Sequence, residues 1–178
     1  MELKVRLTVY TDYSLRVLMF LALKRDGLAT IAEIAKAYDI SKNHLMKVAY
    51  QLGLAGYVET VRGKGGGLRL ARAPRHIVIG EVVRRTEPDM MLVPCFPPDG
   101  AYCTILPSCA LRGVLFKARD AFLSALDDHT LADLVRPRAP LRNLLSFNSN
   151  ESALPRTSRS ARRALAFRTS RRGLKKPS

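Results

Sequence analysis

Residues 30–72, TIAEIAKAYDISKNHLMKVAYQLGLAGYVETVRGKGGGLRLAR, change their hydrophobic period part-way, and that change decides the fold. Thr30 and Glu33 form a T-x-x-E capping box, with Ile31, Ile34, Ala35 and Tyr38 on one helical face behind it. Ser41 is placed to cap a second helix, whose inner face is Leu45, Val48, Ala49 and Leu52. Two short amphipathic helices joined this tightly predict a helix-turn-helix. From Tyr57 the pattern alternates instead, as strands over 57–61 and 67–71 around the turn RGKGGG. A turn of that kind needs glycines, because its backbone adopts positive φ angles that other residues resist. A helix-turn-helix followed by a hairpin with basic residues at its tip is a winged helix.

Upstream, residues 11–25 read as one buried helix, with Thr11 or Asp12 as its cap and Leu15, Leu18, Met19 and Ala22 as its apolar stripe. Downstream, residues 77–87 read as a fourth helix. A loop follows that holds every cysteine of the chain, and after it Leu111, Val114, Leu115, Ala118, Phe122, Ala125 and Leu126 recur at near-heptad spacing. Lys117, Arg119, Asp120 and Asp127 lie on the opposite face. That helix needs cover for its apolar stripe; a second copy of the chain is the favoured partner, its own winged domain the alternative. Residues 130–135 read as a capped closing turn. The expected organisation is a winged domain over 5–88, a cysteine-rich loop over 89–110, a dimerisation helix over 111–136 and a basic, disordered tail over 137–178. The fold class is therefore mainly α with a small β wing.

The chain has 178 residues and a formal net charge of +15. Residues 137–178 hold eleven of the 30 Lys and Arg but only one of the 15 Asp and Glu, so most of the excess charge belongs to the tail. High pI alone therefore does not establish nucleic-acid binding; the position of the other charges has to. No apolar run reaches the roughly 20 residues that span a bilayer, and no signal peptide is read. A cytoplasmic protein without a membrane partner is expected.

Lys42, Asn43, Met46, Lys47 and Tyr50 face away from the apolar set of the third helix. Ser41, Lys42 and Asn43 open that helix, where a recognition helix presents side chains to base edges in the major groove. Asn pairs bidentately with adenine, and Lys reaches guanine or phosphate. His44 is placed to touch either DNA or its own domain. Arg62 and Lys64 sit at the wing tip, suited to phosphates or the minor groove. Any one of these is an ordinary solvated side chain; their joint placement on this fold points to double-stranded DNA.

The cysteines, Cys95, Cys103 and Cys109, are spaced C-x7-C-x5-C. Structural zinc generally uses paired C-x2-4-C knuckles and four ligands. A catalytic thiol wants a nearby base, whereas His44, His76 and His129 lie far off in sequence. A disulfide leaves one thiol over. An iron–sulfur cluster tolerates wider spacing, and three thiolates would then need a fourth, non-cysteine ligand.

With LTVYTDYSLRVLMFLAL (7–23), IAEIAKAYDISKNHLMKV (31–48), LGLAGYVETVRGKGGGLRLA (52–71), the three-cysteine loop and HTLADLV (129–135), the chain resembles the iron–sulfur winged-helix repressors, particularly their nitric-oxide-sensing branch. The resemblance runs from about residue 5 to 145. It implies a homodimer built on the long helix, nitric oxide as the signal and one iron–sulfur cluster per subunit, either [2Fe–2S] or [4Fe–4S]. It further implies Cys95, Cys103 and Cys109 as cluster ligands, with Asp12 supplied by the partner subunit as the fourth. Members that regulate cluster assembly place a histidine just after the third cysteine, where this chain reads ALRG. The competing readings are a sensor of iron or cluster supply on the same fold, and a zinc-braced DNA-binding module. An enzyme is not expected.

Overall fold

The computed structural model describes residues 6–24, 27–96 and 103–145. Helix α1 (Val9–Leu23) runs through the centre and buries Val17, Leu18, Leu21 and Leu23. Its cap is Thr8, whose hydroxyl accepts from the Thr11 amide at 3.2 Å. The cap therefore lies three residues before the expected start, and Asp12 stands in the first turn, where a carboxylate favours the positive end of the helix dipole. A polar seam ties this end of α1 to the end of α4 (Ile79–Thr86). The Thr8 amide donates to Glu87 Oε1 at 2.8 Å, and the buried Thr11 hydroxyl donates to that of Thr86 at 2.9 Å.

Helix α2 (Ile31–Tyr38) has the expected capping box, with both Thr30 and Glu33 bonds formed. Asp39 ends it in the left-handed conformation, and buried Ile40 turns the chain into α3 (Lys42–Leu54). Ser41 occupies the α3 N-cap position without a side-chain capping bond, and Leu45, Val48, Ala49 and Leu52 are buried as the spacing requires.

Strands β1 (Val58–Val61) and β2 (Gly67–Leu70) pair antiparallel, Val58 opposite Leu70 and Val61 opposite Gly67. Gly63 and Gly65 take positive φ in the loop between them, and a Cβ on Gly66 would collide with the Val61 carbonyl oxygen. The wing is also stitched to the segment before α2, a contact absent from the sequence reading. Ala29 and Leu68 exchange backbone hydrogen bonds of 2.9 and 2.8 Å. The approach is close enough that a Cβ on Gly67 would sit 2.8 Å from the Ala29 carbonyl oxygen.

Helix α5 (Ala110–Asp127) is the long helix expected from the heptad-like stripe, and α6 (Leu131–Leu134) closes on a Thr130–Asp133 capping box. The end of α5 is fastened to α4. The Ile79 amide donates to the His129 carbonyl at 2.9 Å, and the Leu131 amide to the Ile77 carbonyl at 2.8 Å. Arg84 grips the Asp127 carboxylate with two bonds of 2.7 and 2.5 Å. Gly80 makes the room, since a Cβ there would collide with that carboxylate.

Residues expected to begin the irregular tail form a further helix, α7 (Arg138–Leu144). α1 has no basic residue in its own last turn, and α7 supplies two. Arg138 donates to the Ala22 carbonyl at 2.6 Å and Arg142 to that of Leu23, covering carbonyls that α1 itself leaves without partners. The rest of the expected tail, 146–178, lies outside the described residues.

Candidate nucleic-acid interface and cysteine centre

Burying Leu45, Val48, Ala49 and Leu52 turns the opposite face of α3 outward. Ser41, Lys42, Asn43, His44, Met46, Lys47 and Tyr50 are all exposed. Met46 and Tyr50, 52% and 65% exposed, are apolar surfaces that no element of the described chain covers. The His44 ring lies 6.2 Å from that of Tyr13 on α1, so it touches its own domain and remains open to solvent. Arg62 and Lys64 project from the wing tip. Behind them the Arg69–Glu59 pair, 2.7 Å apart across the strands, occupies the wing's outer face. All seven residues expected at the DNA surface therefore lie on two exposed, basic elements, α3 and the wing.

The cysteines hang on α5. Cys109 occupies its N-cap position with its side chain free of any capping bond, and Leu106–Ser108 form a short 3-10 turn just before it. Cys95 precedes Phe96, which is completely buried and stacks on Phe116 of α5, centroids 4.0 Å apart and planes 3° apart. Both ends of the cysteine segment are thus held by one helix, about two turns apart along it. Arg119 covers the stack, 5.5 Å from the Phe96 ring and 4.7 Å from Phe116, with Asp120 as its ion-pair partner at 2.7 Å. Arg112 stacks on Phe116 at 5.3 Å.

The three thiols are half-buried and free. Residues 97–102 lie outside the described residues, and among the described ones no three His, Cys, Asp or Glu side chains converge as a metal site. Asp12 is held within its own helix by Arg16, through bonds of 2.9 Å to each carboxylate oxygen. Arg16 also lies 5.7 Å from the centroid of the Tyr38 ring. Burial pushes the Tyr38 phenol up to about 12, with Arg16 opposing and Asp12 adding to the rise. Asp12 is thus committed within its own helix, and among the described residues it joins no group of three with the cysteines.

The donor set nonetheless suits a soft, sulfur-ligated iron group. Three uncommitted thiols sit on one segment, no acidic residue stands in the first turn of α5, and the buried Arg112 Nε–H has no acceptor among the described residues. The aromatic clamp, the arginines around it and the Arg84–Asp127 fork were not among the sequence-derived candidates. Phe96 beside Cys95, an aromatic residue in a loop rich in proline, was an available signal.

Residues 7–137 match the family model Rrf2, described as an iron-dependent transcriptional regulator. The chain belongs to this family. It is 54% identical over 143 residues to the HTH-type transcriptional regulator NsrR of Bacillus licheniformis, covering 80% of this chain and all of that one. The NsrR of Bacillus subtilis is 55% identical over 144 residues, covering 80% of this chain and 99% of the relative. Among solved structures, CymR, the global cysteine regulator of B. subtilis, superposes with a TM-score of 0.61 at 28% identity, covering 74% of this chain and 96% of that one. T. potens IscR does so with a TM-score of 0.57 at 26% identity, covering 87% and 96%. As an Rrf2 member the protein is a DNA-binding transcriptional regulator rather than an enzyme. Among the described residues, no helix is long and apolar enough to cross a membrane.

Proposed function

We propose that this Rrf2 protein is a nitric-oxide-sensitive repressor that binds operator DNA as a cytoplasmic homodimer. An iron–sulfur cluster, [2Fe–2S] or [4Fe–4S], would be held in each subunit by Cys95, Cys103 and Cys109, with the partner's Asp12 as fourth ligand. Lys42 and Asn43 read bases, helped by Ser41, His44 and Lys47, while Arg62 and Lys64 hold the backbone. One observation carries the reading: the cysteine segment is anchored at both ends on α5, whose outward apolar face no element among the described residues covers. Leu111, Val114 and Phe122 are 62, 61 and 44% exposed, and no residue of the 18-residue helix is fully buried. The other face does pack inward at its C-terminal end, where Leu123 and Leu126 meet the core. The helix thus has one side for its own domain and one for a second copy.

When bound, the cluster supplies iron that nitric oxide can attack. The chain's own residues do the rest. Cys95, Cys103 and Cys109 would tie the Phe96 anchor to the α5 N-cap, and Asp12 would join one subunit's α1 to the other's cysteines. Within the winged domain, the Thr8–Glu87 and Thr11–Thr86 seam would pass that constraint from α1 to α4. Release of the thiolates frees the spacing between the two recognition helices.

A second reading, sensing of iron or cluster supply, draws on the family's description as iron-dependent and on the likeness to T. potens IscR. The sequence ALRG after Cys109, without histidine, favours the nitric-oxide branch. The test is visible absorption of anaerobically purified protein, then operator binding by loaded, nitrosylated and cluster-free protein at one salt concentration. A chromophore and tight binding by the loaded form alone are expected. Equal affinity in all three states would overturn the switch, and a colourless, zinc-containing protein would leave a braced DNA-binding module.

A further inference from the structure

Arg112 is three residues beyond Cys109, on the same side of the first turn of α5. Its guanidinium carbon lies over the Phe116 ring, 5.3 Å from the centroid, and its Nε–H is buried with no acceptor among the described residues. A buried donor left unsatisfied forfeits its hydration without compensation, and native proteins seldom leave one. Arg119, on the same aromatic stack, contrasts with it, because its charge is answered by Asp120 at 2.7 Å. Among the described residues no carboxylate lies within ion-pair distance of Arg112. A cation fixed by an aromatic face, with one donor directed away from solvent and no anion to meet it, is a half-built anion contact. The anionic group expected beside it is the thiolate–iron assembly of Cys95, Cys103 and Cys109.

We infer that Arg112 is a positioning residue for the iron–sulfur cluster, donating its Nε–H to a cluster or ligand sulfur and countering the cluster's negative charge. The inference rests on the cluster-bound reading of the protein. Hydrogen bonds to sulfur and nearby positive charge raise a cluster's reduction potential, and they slow loss of iron by stabilising the ligating thiolates. Phe116 lies against the guanidinium, and its stack with Phe96 links that contact to the Cys95 end of the segment.

The experiment compares wild type, Arg112→Gln and Arg112→Lys as anaerobically purified full-length protein. Three quantities are read: the midpoint potential of the cluster, the rate at which a chelator bleaches the visible absorption, and the melting temperature of cluster-free protein. Arg112→Gln should shift the potential to more negative values and bleach several-fold faster, while its cluster-free melting temperature stays close to wild type. Arg112→Lys keeps the charge without the fixed Nε–H, and should recover most of the potential but less of the resistance to chelator. Unchanged potential and bleaching in a coloured Arg112→Gln protein would overturn this role alone. So would a loss confined to cluster-free stability, which would make Arg112 a packing residue. A colourless wild type would overturn the cluster reading and this inference with it.

Discussion

Asp127, the last residue of α5, accepts two hydrogen bonds from Arg84 of α4, at 2.7 and 2.5 Å, over a glycine that alone permits the approach. The Arg84 bonds hold the Asp127 carboxyl below the usual carboxylate range against the opposing effect of desolvation, and they raise Arg84 in turn. This fork is a polar side-chain link between the long helix and the winged domain, beside the apolar packing of Leu123 and Leu126.

A carboxyl depressed in the folded state binds protons less readily there than in the unfolded chain. Its stabilising contribution is therefore present above the ordinary carboxylate range and is lost as pH falls below about 4. Asp127→Asn should accordingly lower the melting temperature near pH 7, and the gap from wild type should close as the pH is taken toward 3. A gap of equal size throughout would mean that the fork carries no titrating contribution. Gly80→Ala should reproduce the neutral-pH loss by pushing α4 off the carboxylate.

Val114→Glu combined with Phe122→Glu places charge on the outward face of α5, while Leu123 and Leu126 keep their inward packing. The double variant should sediment as a folded monomer and lose tight operator binding, because one winged domain then holds one half-site alone. A dimer by sedimentation would move the interface elsewhere.

Lys42→Ala and Asn43→Ala should each cost about 1–3 kcal/mol of discrimination at the base pair contacted. Their effect on non-cognate DNA should be small for Asn43 and modest for Lys42. Arg62→Ala should weaken all sequences alike and reduce the slope of log affinity against log salt by about 0.9. Competition binding at several salt concentrations separates the two classes of effect.

Cys95→Ser, Cys103→Ser and Cys109→Ser should each abolish the visible chromophore and tight operator binding. Asp12→Ala should do less, since water or a small thiol can replace an oxygen ligand; its cluster should form but decay faster. Phe96→Ala removes a wholly buried ring and should cost about 3–5 kcal/mol on the scale of large core truncations. It should also loosen the Cys95 end of the segment, so chelator should bleach it faster than wild type with all three cysteines intact.

The winged helix was legible because its elements follow from local rules: a capping box at Thr30, a 3.6-residue stripe through Leu45 and Leu52, an alternating hairpin around Gly63 and Gly65. What escaped depends on partners distant in sequence. Thr8, Thr11 and Asp12 can each cap a helix, and the choice of Thr8 also engages Glu87, 79 residues away. The α7 segment resembles the basic tail in composition, and its two arginines acquire a role only once the carbonyls of Ala22 and Leu23 stand beside them. Of the candidate site, the outward set on α3 and the three thiols were readable from spacing. The Phe96–Phe116 stack that ties the thiol segment to α5 was not, because aromatic pairing across 20 residues leaves no periodic trace.

The exchange of hydrogen bonds between Ala29 and Leu68 reaches beyond the wing itself. It joins the hairpin to the segment that launches α2, so wing and recognition helix travel as one rigid block rather than as two fingers flexing separately. Each block covers a footprint of constant width on the duplex, and on the dimeric reading the only adjustable quantity is the phase between two footprints. The operator then behaves as a vernier. Adding a base pair between half-sites should damage binding through rotation about the DNA axis, and adding a full turn of about 10 base pairs should restore the facing but not the reach.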